Sequence, residues 1–309
     1  MSIPATVPSA VPAPAGEIIG ARELDAALRS ATPPLLLDVR WQLVASRAED
    51  PAHPVGYGDY LEAHLPGAVF VDLGAELAGE PSARVGRHPL PAPEAFAASV
   101  ARWGLAEGQL AVVYDDQGGL SAARAWWLLK HAGLPVRLLD GGIQAWIAAG
   151  GETASGAVTP PSPAVPARVG WGRMPVLDAD EAAALAGSGV LLDARAEPRF
   201  LGLEEPIDPR AGHLPGARSV PTAGNLGPGR RFLGAEALRE RFRAAGVVFD
   251  DDGAEGPAPA VGAYCGSGVT ASHELLALAV AGVRGALYPG SWSQWSNHPQ
   301  RPVATGSAG

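Results

Sequence analysis

Short runs of consecutive apolar residues at 35–39, 111–114, 136–139, 190–193 and 260–264 alternate with longer amphipathic or Ala/Leu-rich segments at 22–29, 93–103, 121–132, 179–186, 235–245 and 270–281. Runs of four or five apolar residues fit strands buried on both faces, and the longer segments fit helices. Strands alternating with helices give a mostly parallel sheet covered on both faces, which places the chain in the α/β class. Ligands of such sheets gather outside the carboxyl ends of the strands.

The same pattern occurs twice. Leu35-Leu36-Leu37-Asp38-Val39-Arg40 is answered by Leu191-Leu192-Asp193-Ala194-Arg195, and His64-Leu65-Pro66-Gly67-Ala68 by His213-Leu214-Pro215-Gly216-Ala217. Val112-Val113-Tyr114 is answered by Gly262-Ala263-Tyr264, and Gly141 with Trp146 by Gly290 with Trp295. The offsets are 155, 149, 150 and 149, so the register drifts only where loops differ in length. A repeat this long is a whole domain rather than a solenoid unit. Residues 1–16, rich in Pro and Ala and without periodicity, read as a disordered tail. The Pro-rich stretch 151–175 reads as a linker between an N-terminal domain at 17–150 and a C-terminal domain at 176–309.

Composition narrows the function. With 47% hydrophobic and 18% charged residues the chain can build cores. No apolar run approaches the ~20 residues of a membrane span, and no export signal is visible, so a cytoplasmic protein is expected. A net charge of −9 with scattered basic residues argues against nucleic acid as partner, and no membrane partner is expected. The single cysteine, Cys265, excludes an internal disulfide and a multi-cysteine metal site.

Cys265 lies where a strand meets a helix, followed by Gly266-Ser267-Gly268-Val269-Thr270. Backbone N–H groups and the dipole at a helix start favour an anion there, and so a thiolate. Gly266 and Gly268 let the loop bend until several amides point at one centre. A buried cysteine that merely packs is the plain alternative. A phosphate-binding loop lacks its Lys-Ser/Thr ending here. A cysteine phosphatase needs Arg six positions after the cysteine to grip phosphate, and position 271 is Ala.

Cys265-Gly266-Ser267-Gly268-Val269-Thr270-Ala271, His-Leu-Pro-Gly-Ala in both halves, and a Gly-containing turn followed by Trp near each half's end together resemble a tandem-domain rhodanese-type sulfurtransferase. The loop is similar to that of 3-mercaptopyruvate sulfurtransferases, and the resemblance runs over residues 20–300. The first copy has Asp115-Asp116 where the second has Cys265-Gly266, as the family's catalytically silent N-terminal copy does. The resemblance implies two tandem rhodanese-like domains and transfer of sulfur from 3-mercaptopyruvate to a thiol or other acceptor through a Cys265 persulfide. It implies no metal, nucleotide or flavin. The partners expected are a small anionic sulfur donor and a thiol acceptor, either a thioredoxin-like protein or a low-molecular-weight thiol. Thiosulfate:cyanide transfer and a non-catalytic rhodanese-like binding module are the alternatives.

The resemblance also implies site residues. Gly266, Gly268, Val269 and Thr270 would cradle the sulfur, and Arg199 matches an arginine that binds the donor carboxylate. The family's second arginine follows a Glu-Pro pair; here Glu205-Pro206 precedes Ile207, and Arg210 is the next candidate. A proton relay would join Ser267 to an N-domain histidine and an aspartate, for which His64 and Asp59 are the candidates. Features present in both halves are the weaker functional candidates, since the first copy has no nucleophile. Asp193 with Arg195, and Asp38 with Arg40, therefore read as fold-stabilising pairs, and the same reasoning weakens His64 and His213. Trp292 and Trp295 are candidates to wall the site.

Overall fold

The computed structural model describes residues 16–43, 54–250, 252 and 260–307. All of the expected N-terminal tail except Gly16 lies outside them.

The first half runs β1 (Ile18–Ile19), α1 (Ala21–Leu28), β2 (Leu35–Asp38), α2 (Tyr57–Glu62), β3 (Val69–Phe70), α3 (Leu73–Glu76), α4 (Pro93–Trp103), β4 (Ala111–Tyr114), α5 (Ala122–His131), β5 (Val136–Leu139) and α6 (Gly142–Ala148). The second runs α7 (Ala179–Ser188), β6 (Val190–Asp193), α8 (Glu197–Phe200), β7 (Arg218–Ser219), α9 (Ala235–Ala244), β8 (Val261–Tyr264), α10 (Val269–Val280), β9 (Ala286–Leu287) and α11 (Ser291–Trp295). Two short 3₁₀ turns, Thr222–Asn225 and Pro228–Arg230, lie between β7 and α9. Each half carries one parallel sheet, in the orders β1-β5-β4-β2-β3 and β7-β6-β8-β9. The central strands β2, β4, β6 and β8 are buried at every residue, which explains why they read as unbroken apolar runs.

The halves meet along α5 and α10. One buried cluster runs through both halves, taking in Trp127 and Leu128 of α5 and Leu275 and Leu276 of α10. Helix α10 is buried from Ala271 to Leu278 because its own sheet lies on one side and α5 on another. Such a helix shows no polar face in its sequence. Stretch 151–175 holds no helix or strand and is strapped to the first half, Ala167 N–H donating to Leu105 O at 2.9 Å and Gly170 N–H to Ala132 O at 2.9 Å.

The repeated Asp-Arg pairs form matching buried forks. Arg40 Nη2 lies 2.7 Å from Asp38 Oδ2, and Arg195 Nη2 lies 2.6 Å from Asp193 Oδ2. Their presence in both copies fits a structural role.

Candidate active site

Cys265 sits at the carboxyl end of β8, 2% exposed. The chain then turns through Gly268, whose φ of +81° is the left-handed region that glycine enters without a Cβ penalty. The carbonyls of the turn face α11: Trp292 N–H donates to Cys265 O at 2.9 Å, and Ser293 N–H to Gly266 O at 2.8 Å. With carbonyls outward, the turn can direct amides inward, and Gly268 N–H donates to Cys265 Sγ at 3.1 Å.

The first half contains its own control for what such a turn binds. At the position matching Cys265, the Asp115 carboxylate accepts from the N–H groups of Gln117 (2.9 Å), Gly119 (2.8 Å), Ser121 (2.9 Å) and Ala122 (3.0 Å), and from Ser121 Oγ at 3.0 Å. Gly118 has φ +75° where Gly268 has +81°, and Ile143 N–H caps Asp115 O at 3.1 Å as Trp292 caps Cys265 O. The two turns agree through Gly118 and Gly268 and then diverge: Gly119 also has a positive φ, +92°, and α5 starts only at Ala122, whereas α10 starts at Val269. In the first the anion cradle is filled by its own carboxylate, and in the second the matching side chain is a thiol.

Cys265, Gly266, Ser267, Val269, Thr270 and Arg199 line one cavity of about 830 Å³, walled further by Trp41, Leu226 and Arg87. Arg199 stands on α8 with Nε and Nη2 on Glu205, at 3.3 and 2.6 Å, and Nη2 also 3.2 Å from Asp208.

Five expected residues lie elsewhere. His64 is fully buried, its ring stacked 4.3 Å from Tyr60 and its Nδ1 2.8 Å from Tyr60 O; His213 repeats this on Phe200, at 3.7 and 2.8 Å. Both histidines anchor equivalent turns, and neither lines the cavity. Asp59, on α2, offers its backbone carbonyl to Arg40 Nη1 at 3.0 Å and is likewise absent from the cavity wall. Arg210 donates to the carbonyls of Trp295, Ser296, His298 and Arg301, so its cation ties down the C-terminal segment instead of facing the cavity. Trp292 and Trp295 are buried in the core of the second half and do not wall the site.

The histidine at the loop is His88. Its Nδ1 lies 2.8 Å from Ser267 Oγ, and its ring stands edge-on to Trp41 at 5.3 Å. Burial, assisted by the cations Arg124 and Arg87, lowers its pKa to about 4, so the ring is neutral near pH 7. Arg124 was also missed. It is fully buried on α5 and bridges the halves, Nη1 donating to Gly268 O at 3.3 Å and Nη2 to His88 O at 3.0 Å and Pro89 O at 3.2 Å. Burial lowers its pKa to about 10 against the pull of Cys265, which leaves it charged at neutral pH. One side chain thus fixes the histidine segment and the thiol loop together.

Fold and site define a two-copy parallel α/β protein with one thiol, faced by the Gly268 amide, at the edge of the interface between copies. A rhodanese-like domain matches residues 20–149 and again 178–298. A Pseudomonas aeruginosa protein provisionally named 3-mercaptopyruvate sulfurtransferase is 44% identical, covering 94% of this chain and 98% of its own. A Mycobacterium tuberculosis protein provisionally named thiosulfate sulfurtransferase SseB is 43% identical over the same shares. Among solved structures, the Leishmania major 3-mercaptopyruvate sulfurtransferase superposes with a TM-score of 0.76 at 26% identity, covering 95% of this chain and 78% of its own. The chain belongs to the tandem rhodanese family and is a sulfurtransferase.

Proposed function

We propose that Cys265 carries sulfur as a persulfide, taken from 3-mercaptopyruvate and passed to a thiol, with residues 17–150 as the silent copy and 176–309 as the catalytic one. The observation that carries this is the Asp115 cradle: the corresponding turn of the first half donates four backbone N–H groups to an anion two atoms wide, and in the second half Gly268 N–H already donates to Cys265 Sγ. A persulfide, with Sγ and an outer sulfur, makes the same demand in the second half.

In the first step the Cys265 thiolate attacks the donor sulfur and the C–S bond breaks. Its electron pair leaves on the pyruvate enolate, which takes up the proton that the donor thiol brought, leaving pyruvate and a persulfide anion. Ser267 Oγ, hydrogen-bonded to neutral His88, is the group placed to pass that proton. In the second step the acceptor thiol attacks the outer sulfur, and Cys265 leaves as thiolate while the acceptor departs as a persulfide. Thiosulfate is the second reading, favoured by Arg87 and Arg199 at the cavity and by the name of the Mycobacterium tuberculosis relative.

Intact mass after incubation with donor tests the carrier: one added sulfur, about 32 Da, is expected, as for a reactive thiol oxidised to a persulfide. Cys265→Ser is expected to lose both adduct and turnover, and sulfur transfer retained by that variant would sink the mechanism. Comparing kcat/KM for the two donors decides between them.

A further inference from the structure

Arg87 reaches the Cys265 cavity from the N-terminal half. Its backbone N–H donates to Ser293 Oγ at 3.1 Å, which fixes where the side chain starts, and its Nη1 pairs with Asp208. Its other two donors, Nε and Nη2, are buried with no partner among the described residues. Those two N–H groups form one edge of the guanidinium, a parallel fork that matches two oxygens of a carboxylate or sulfonate. A buried donor left without an acceptor forfeits its hydration, so the fork is a poor arrangement unless an oxyanion comes to it.

The fork is also aimed at the reacting loop. A methyl group built on Gly266 would lie 3.1 Å from Arg87 Nη2 and 3.5 Å from Arg199 Nη1. Two guanidiniums, one from each half, therefore face a single point beside Cys265. Asp208 holds them together, accepting from Arg87 Nη1 and from Arg199 Nη2. The arginine expected after Glu205-Pro206 is missing, since Ile207 stands there and Arg210 is committed to backbone carbonyls. Arg87 puts a cation beside the same loop from the opposite side.

We propose that Arg87 is the second arginine that grips the donor, its Nε–Nη2 edge and Arg199 Nη1 together holding the donor's anionic head, and that Asp208 weakens this grip by competing for both cations. The inference rests on the reading of Cys265 as sulfur carrier. It makes the copy that lacks a nucleophile a contributor to donor recognition.

Arg87→Met and Asp208→Asn both break the ion pair between the halves, but only the first removes a cation from the cavity. With 3-mercaptopyruvate and with thiosulfate, cyanide being the acceptor, Arg87→Met is expected to raise the donor KM about tenfold or more while kcat falls less than threefold. Asp208→Asn is expected to lower the donor KM, and Arg87→Lys to recover part of the loss without the second prong of the fork. A larger KM effect on mercaptopyruvate marks the ligand head as carboxylate, and a larger one on thiosulfate marks it as sulfonate. If Asp208→Asn raises KM as Arg87→Met does, the pair is only structural and the proposal fails. An unchanged KM in Arg87→Met overturns it as well, while wild-type persulfide formation in the same assay would leave the function of Cys265 intact.

Discussion

His88 in the first half and Ser267 in the second share a hydrogen bond of 2.8 Å across the line where the two copies meet. In the relay proposed above neither residue acts alone: the hydroxyl needs a base behind it, and the imidazole needs a hydroxyl to reach the cavity. Arg124, pinned to carbonyls on both sides, keeps the two in register. The hydrogen-bonded pair is thus assembled only where the halves meet.

A proton relay through this pair serves a carbanionic leaving group and is superfluous for sulfite. Ser267→Ala and His88→Asn are therefore expected to lower kcat with mercaptopyruvate by about 10²-fold, the lower end for positioned acid–base groups, and to change thiosulfate turnover by a few-fold at most. With the His88 pKa near 4, kcat/KM should show no inflection at pH 6.5 and an acid limb only near pH 4. Equal losses on both donors, or a limb at pH 6.5 that vanishes in His88→Asn, would count against the relay.

The two loop glycines are expected to fail differently. At Gly266 a Cβ meets only the far ends of two arginine side chains, which can yield, so Gly266→Ala should fold normally and raise the donor KM. At Gly268 the φ of +81° and a Cβ placed 2.6 Å from Pro289 O leave no such room. Gly268→Ala should lose about 1–3 kcal/mol of stability and, by shifting the amide that faces Sγ, most of its turnover. Urea unfolding beside initial rates separates the two, and a fully stable Gly268→Ala would show the strain to be absent.

Much of this molecule was legible along the chain. The five apolar runs fall on β2, β4, β5, β6 and β8 to within a residue at either end, because strands buried on both faces leave an unbroken apolar signature. Cys265 and its turn were legible because the one cysteine of the chain falls at a strand–helix junction and is followed by two glycines. His88, Arg87 and Arg124 were not, because their partners lie more than 100 residues away across the contact between copies, and no local spacing marks that. A signal did exist. Gly86-Arg87-His88-Pro89-Leu90 is answered by Gly229-Arg230-Arg231-Phe232-Leu233, so His88 is a histidine the second copy does not repeat. His64, by contrast, is matched by His213 in identity and surroundings. In a duplicated chain with one nucleophile, the positions that break the repeat point to the chemistry.

Stability should peak near pH 6.5, for reasons that lie inside α10 and at His88. Burial lowers His88 and His273 to about 4 from 6.5, so between those values the unfolded chain binds up to two more protons than the folded one. Stability then rises with pH through that window and is fully present above it; His131 and His213, also lowered by burial, act in the same direction. Glu274 opposes them most strongly, and Glu76, Asp116, Asp140 and Asp208, also raised by burial, act with it at the acid end. Glu274 is fully buried with Oε2 accepting from Asn225 at 2.8 Å and Oε1 without a partner among the described residues, and burial raises it to about 8 from 4.5 despite that hydrogen bond and the pull of Arg241. Its contribution is fully present below pH 4.5 and is lost as pH rises towards 8, because the unfolded carboxyl has already released the proton that the folded one keeps. Between pH 4.5 and 6.5 the histidines outweigh this one proton, whereas from 6.5 to 8 Glu274 acts alone, at up to about 1.4 kcal/mol per pH unit. Glu274→Gln, which preserves shape and the bond from Asn225, should flatten that alkaline decline and leave the acid limb in place. Urea midpoints measured from pH 4 to 8 check both statements: a wild-type midpoint still climbing at pH 8, or a Glu274→Gln profile superimposable on it, would show that the carboxyl does not hold its proton in the folded protein.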